Sequence, residues 1–302
     1  MVSYNFIDQM KIQGIFPPIT TPFDHAGNLY ATKVQHNIEK WNRTGLAGYV
    51  VCGSTGEDVF LMDEEKFTLW ELVAKHAAPE KVLIVGTGCE SARQTVCLTN
   101  RAAEMGYKAA LVRTPHYFKN QMVKQETQML HFRAVADQAK IPVLLYNWPL
   151  LTGVDLAADT VAALSEHPNI IGMKDSSGNL EKIMQYVDRA REGFQVVVGS
   201  TATLWPSLVM GACGGILAYA NAAPYSVIAI WEAHRTREEE AAKDWQKRVA
   251  RASAVISKHG IPGLKHAMDL NGYYGGPPRL PLSVPSPEAK KEVEEAFKDL
   301  KG

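Results

Sequence analysis

Eight short runs of apolar, often β-branched residues recur along the chain, and their regularity constrains the fold more than any other feature. They read GIFPPIT from Gly14, GYVVCG from Gly48, VLIVGTG from Val82, AALVRTP from Ala109, IPVLLYN from Ile141, NIIGMKDS from Asn169, QVVVGS from Gln195 and GGILAYA from Gly214. Most are nearly continuous rather than alternating, which suits strands covered on both faces of a parallel sheet. Starts roughly 20–35 residues apart leave room for a helix after each strand. DEEKFTLWELVAKHAA from Asp63 and SARQTVCLTNRAAEMG from Ser91 read as such helices, with Asp63 and Ser91 expected as N-caps and Gly106 as a C-terminal stop. Eight strand–helix repeats give an α/β chain the count of a (β/α)8 TIM barrel. A doubly wound open sheet competes, but its first strand more often leads into G-x-G-x-x-G, and here that position reads PPITTPF. After Tyr225 the pattern turns to polar helices, so the expected organisation is a barrel over 1–224 and a helical extension packed on it over 225–302.

Composition narrows the partners. Lys and Arg number 32 against 32 Asp and Glu, so no global basic field calls for nucleic acid or an anionic membrane. Cys52, Cys89, Cys97 and Cys213 form no C-x-x-C pair, and the nine histidines show no H-E-x-x-H spacing. The expectation is therefore no metal, no disulfide framework and a reducing, cytoplasmic setting. The N-terminal stretch MVSYNFIDQMKIQG lacks an apolar core and has Lys11 as its only base, unlike a signal or transit peptide. Gly193 to Trp231 carries no charge, yet Gly199, Pro206, Gly211, Gly214, Gly215 and Pro224 interrupt it. That pattern predicts a buried strand, a short helix and another strand rather than a membrane span.

In a barrel, functional groups belong at the C-terminal ends of strands. Lys174 terminates the apolar run NIIGM. An ammonium in such surroundings is poorly solvated and its pKa falls, giving a neutral amine able to attack a carbonyl and form an imine. Pairing with Asp175, or a side chain reaching solvent, is the structural alternative. Tyr146 ends the neighbouring run VLLYN, where a phenol can shuttle a proton or simply fill the core. Gly53-Ser54-Thr55-Gly56-Glu57 follows GYVVC and offers backbone N–H groups and two hydroxyls to a carboxylate.

Several segments together resemble one family, the pyruvate-dependent class I aldolases and lyases that include dihydrodipicolinate synthase and N-acetylneuraminate lyase. GIFPPITTPFD, GSTGE, TPHYF, LLYNWP, GMKDSSG and GSTATL occur in order and span essentially the whole chain. The resemblance implies a (β/α)8 barrel with extra C-terminal helices, usually assembled as a homotetramer, a dimer of dimers. It makes Lys174 the Schiff-base lysine for pyruvate or another 2-oxo acid, with no cofactor beyond that covalent imine. Tyr146 becomes the proton-shuttling tyrosine. Ser54 and Thr55 bind the 2-oxo acid carboxylate, Thr55 also joining the proton relay. Tyr117 matches a tyrosine that relatives insert into a neighbouring subunit's site. Ser176 contacts the distal part of the substrate, and Gly215 and Ile216 join the substrate-binding set.

Within the family, synthases carry an arginine after Y-N-x-P that grips the aldehyde's carboxylate, and here that position is Leu151. A leucine cannot make this bidentate contact. GTGCES, SEHPNIIGMKDSSG and GIPGLKHAMDLNGYYGGPPRLPL are most similar to the 4-hydroxy-2-oxoglutarate aldolases. The resemblance thus implies cleavage of 4-hydroxy-2-oxoglutarate to pyruvate and glyoxylate. Dihydrodipicolinate synthase and a 2-keto-3-deoxy sugar acid aldolase or dehydratase are the alternatives, and a non-catalytic 2-oxo acid binder is the competing class.

Overall fold

The computed structural model describes residues 10–300. Of the N-terminal stretch read above, residues 1–9 lie outside them. Every apolar run contains a strand: β1 (Gly14–Phe16), β2 (Gly48–Val51), β3 (Val82–Gly86), β4 (Ala109–Arg113), β5 (Val143–Asn147), β6 (Ile170–Asp175), β7 (Gln195–Val198) and β8 (Gly214–Ile216). β1 stops at Phe16 because Pro17 and Pro18 cannot donate to a ladder. The strands bond in the order β1-β8-β7-β6-β5-β4-β3-β2. Ile19 N–H to Val50 O (2.9 Å) and Val50 N–H to Pro17 O (3.0 Å) join the two ends of that order. The fold is a (β/α)8 barrel with added C-terminal helices.

Helices α1 (Ala31–Asn42), α2 (Asp63–His76) and α3 (Ala92–Glu104) follow the first three strands. Next come α4 (Lys119–Met122), α5 (Gln125–Ala136), α6 (Pro149–Thr152), α7 (Ala158–Ser165), α8 (Leu180–Arg189) and α9 (Leu204–Val209). The last are α10 (Pro224–Arg235), directly after β8, then α11 (Glu239–Leu270) and α12 (Pro287–Phe297). Ser91 caps α3 as expected, its Oγ accepting from Gln94 N–H at 3.2 Å. Asp63 does not cap α2. Met62 holds that position, and its N–H is satisfied by the Glu65 carboxylate at 3.0 Å, so the first turn is capped from inside the helix. α11 is broken at Gly260 (φ 61°, ψ −149°), a conformation open essentially to glycine. Pro262 then falls in the first turn of the next helical segment, where its missing N–H costs nothing.

The chain forms two compact units. One comprises 10–13 with Ile84–Gly215, the other Gly14–Leu83 with 216–300. In the first, β4 to β7 form a continuous parallel ladder whose central residues, Val143, Leu144, Leu145, Ile170, Val196 and Val197, are buried. In the second, α10 packs on α11 and α11 on α12. The uncharged stretch 193–231 is β7, α9, β8 and the start of α10, and no helix among the described residues is long and apolar enough to cross a membrane. None of the four cysteines forms a disulfide.

Candidate active site

Lys174 and Tyr146 are brought together by the β5–β6 ladder, which pairs them directly. Their side chains share the inner face of the sheet, with Lys174 Nζ 4.3 Å from the centroid of the Tyr146 ring. Both are buried, at 5% and 4% exposure, because each is next to last in a strand whose other residues are packed. Burial removes the water that would solvate an ammonium and brings the Lys174 pKa down to about 7. The buried amine thus gives up its proton far more readily than an exposed lysine does.

Asp175 does not pair with Lys174. It projects to the opposite face, where its carboxylate accepts from Asn147 Nδ2 (2.8 Å), Ser177 N–H (3.0 Å) and Ser177 Oγ (2.5 Å). Burial raises the Asp175 pKa, and the bonds from Ser177 and Asn147 oppose that rise. Asn147 Nδ2 also meets Asp155 Oδ1 (3.0 Å) and Tyr186 OH (3.3 Å), and its Oδ1 accepts from Leu156 N–H (3.0 Å). Asn147 and Asp175 follow Tyr146 and Lys174 in sequence, so this polar cluster behind the sheet fixes the two strand ends in register. Gly199, beyond β7, makes room on the inner side. A Cβ there would lie 1.9 Å from Ser176 Oγ and 2.9 Å from Lys174 Cε. Ser176 Oγ and the Lys174 side chain therefore border the same space beside Gly199.

Tyr117 is placed differently. It is 79% exposed, with Phe118 at 71%. Its loop is held by Glu90, whose Oε2 accepts from His116 N–H (3.0 Å) and Tyr117 N–H (2.9 Å). Gly215 pairs with Val198 on β7, and Ile216 is fully buried, so the latter's side chain belongs to the core. Leu151 lies on α6 and is 55% exposed.

In the other unit, Ser54 and Thr55 occupy a half-buried 3-10 turn, Ser54–Gly56, closed by Gly56 N–H to Gly53 O (2.8 Å). Cys52 (φ 55°) and Glu57 (φ 58°) flank it in left-handed backbone, which non-glycine residues adopt only when their surroundings enforce it. The enforcement at Glu57 was not anticipated. Lys265, 1% exposed, sets its Nζ 2.6 Å from Glu57 Oε1, 2.9 Å from Thr21 O and 3.0 Å from Pro277 O. The ammonium thus meets one carboxylate as an ion pair and donates to two backbone carbonyls. Burial lowers the Lys265 pKa, and Glu57 opposes that shift. Arg279 N–H donates to Glu57 Oε2 (2.8 Å), and the Arg279 guanidinium grips Glu65 through both terminal nitrogens (2.6 Å each). The distinctive C-terminal stretch thus braces the GSTGE turn. The available signal was a lysine on the same helical stripe as buried Leu264 and Met268. Among the described residues, no group of three metal-ligating side chains is clustered.

The sequence profile of the Dihydrodipicolinate synthetase family matches residues 11–300. A probable mitochondrial 4-hydroxy-2-oxoglutarate aldolase from Emericella nidulans is 36% identical over 294 residues, covering 95% of this chain and 94% of that protein. A 4-hydroxy-tetrahydrodipicolinate synthase from an Exiguobacterium species is 34% identical over 289 residues, covering 95% and 97%. The dihydrodipicolinate synthase of Acinetobacter baumannii, solved in complex with pyruvate, superposes with a TM-score of 0.91 at 30% identity, over 96% of this chain and 99% of that one. The match spans both units and every strand end described above, so the chain belongs to the dihydrodipicolinate synthetase family and is an enzyme of the class I aldolase and lyase type.

Proposed function

We propose that the protein cleaves 4-hydroxy-2-oxoglutarate to pyruvate and glyoxylate through an imine on Lys174. The observation that carries this reading is the buried Lys174 amine, with a pKa near 7, lying 4.3 Å from the Tyr146 ring. The neutral amine adds to the C2 carbonyl and water leaves, giving the imine. The Tyr146 phenol gives its proton to the hydroxyl that leaves as water. The resulting phenolate takes the proton of the C4 hydroxyl, the C3–C4 bond breaks, and that bond's electron pair passes into the protonated imine to form an enamine. The aldehyde departs, C3 is protonated, and hydrolysis frees pyruvate and the lysine. The imine is the electron sink, and the scheme calls on no further cofactor. Ser54 and Thr55 are assigned to the first carboxylate, and Thr55 to the proton relay, as in the family it resembles. Gly215 and the Ile216 backbone complete the binding set, and Ser176 faces the departing half.

Tyr117 and Phe118 present aromatic surface to solvent on a loop tied by Glu90. A second copy of the chain covering them, within a homotetramer built as a dimer of dimers, accounts for that exposure. Cysteines without disulfides support a cytoplasmic, reducing setting.

The pH dependence follows from Lys174. Below about 7 the amine is protonated and cannot attack, so pyruvate capture at sub-saturating concentration should rise with pH through about 7 and then level. A stopped-flow or borohydride-quench series checks this, and a rate climbing steadily to pH 10 would mean an ordinary lysine.

Condensation of pyruvate with aspartate semialdehyde is the second reading, favoured by the synthase relative. Leu151 argues against it. Measuring kcat/KM for both reactions on one preparation decides between them. Cleavage should be the faster, and Leu151→Arg should raise condensation by roughly 10–150-fold, the worth of a charged hydrogen-bonded contact. A parent enzyme that prefers aspartate semialdehyde would overturn the substrate assignment and leave the imine chemistry standing.

A further inference from the structure

The cleavage reading leaves the substrate's distal carboxylate without a cation, because Leu151 stands where synthases carry arginine. We propose that Arg113, at the end of β4, supplies it and selects 2-oxo acids bearing a second carboxylate beyond the scissile bond. This rests on the imine reading of Lys174.

Placement comes from the ladder. Arg113 pairs with Tyr146, and Tyr146 with Lys174, across three consecutive parallel strands. Residues paired side by side on neighbouring strands project from the same face. The opposite face is occupied by Thr87, whose Oγ1 meets Thr99 of α3 at 2.7 Å, and by Asn147 and Asp175, joined to each other at 2.8 Å, with Asn147 reaching Tyr186 of α8 at 3.3 Å. Arg113 therefore belongs to the inner face with the tyrosine and the lysine.

Room for it is made locally. A Cβ on Gly88 would lie 2.5 Å from Arg113 N and 2.8 Å from Arg113 Cγ, so only glycine there lets the arginine stem run along the end of β3. The rest of the strand, Ala109 to Val112, is buried, while Arg113 itself is half-buried. A guanidinium presents a planar fork suited to a carboxylate. Two strand spacings, about 10 Å, separate Arg113 from Lys174 along the sheet. An arginine side chain and a five-carbon substrate held on the lysine together bridge that gap.

One nearby cation is less suited. Lys119 is exposed and lies against Gly153, since a Cβ there would meet its Nζ at 2.5 Å.

The test compares kcat/KM on 4-hydroxy-2-oxoglutarate with kcat/KM on 4-hydroxy-2-oxopentanoate, which has a methyl group where the first has the distal carboxylate. The ratio of the two is the readout, in the parent and in Arg113→Gln, Arg113→Lys and Lys119→Gln. Arg113→Gln should lower the ratio by roughly 10–150-fold, Arg113→Lys should restore part of it, and Lys119→Gln should leave it in place. Borohydride trapping of pyruvate on the parent is scored separately, because its failure would sink the imine reading and this proposal with it. With trapping intact, three results overturn the assignment of Arg113. They are a ratio unmoved by Arg113→Gln, an equal fall in both activities, and a shift produced by Lys119→Gln instead.

Discussion

Lys174→Ala is expected to lower kcat for 4-hydroxy-2-oxo acid cleavage by about 10⁴-fold or more while the protein stays folded. The amine is the covalent electron sink, so nothing in the scheme substitutes for it once the imine cannot form. Folding should survive because the side chain makes no ion pair with Asp175, whose carboxylate is held by Asn147 and Ser177. Removing the lysine also relieves the cost of burying a group that prefers to be charged. Lys174→Arg should be equally inactive, since a guanidinium does not deprotonate. Steady-state assays with a circular-dichroism melt on the same samples check this. Activity within 10-fold of the parent would mean that another residue carries the chemistry.

Lys265→Ala is expected to destabilise the fold by about 3–5 kcal/mol, the usual consequence of leaving one member of a buried ion pair alone. It would strand the Glu57 carboxylate and the Thr21 and Pro277 carbonyls, each within 3.0 Å of the ammonium. Glu57 sits in left-handed backbone directly after the Ser54–Gly56 turn, so releasing it should also loosen that turn. The double variant Lys265→Met with Glu57→Gln should recover part of the loss, because it removes both charges together. Urea denaturation midpoints read the stability. An unchanged midpoint in Lys265→Ala would show that the pair does not brace the turn.

Much of this was legible from the chain itself. Strands covered on both faces need continuous apolar runs, so all eight announced themselves, and Lys174 and Tyr146 stood out as polar residues ending such runs. Arg113 obeys the same rule at the end of AALV, yet its value emerges only from the ladder that sets it beside Tyr146. The Glu57–Lys265 pair was hidden for another reason. Its members lie far apart in sequence, and a lysine on an apolar helical stripe names no partner. The misplaced cap of α2 has a tertiary cause as well, since the carboxylate of Glu65 that serves Met62 N–H is held by Arg279 from the C-terminal stretch. The resemblance marked Tyr117 as a residue shared across subunits, and its exposure in a single chain fits that role without supplying the partner.

The central claim is that the Lys174 amine forms an imine with a 2-oxo acid, and reductive trapping tests it most directly. Incubation with pyruvate and borohydride, followed by intact mass and peptide mapping, should show one reduced pyruvyl group per chain, on the peptide containing Lys174. No adduct on the parent protein, or an adduct retained in Lys174→Ala, would contradict the account.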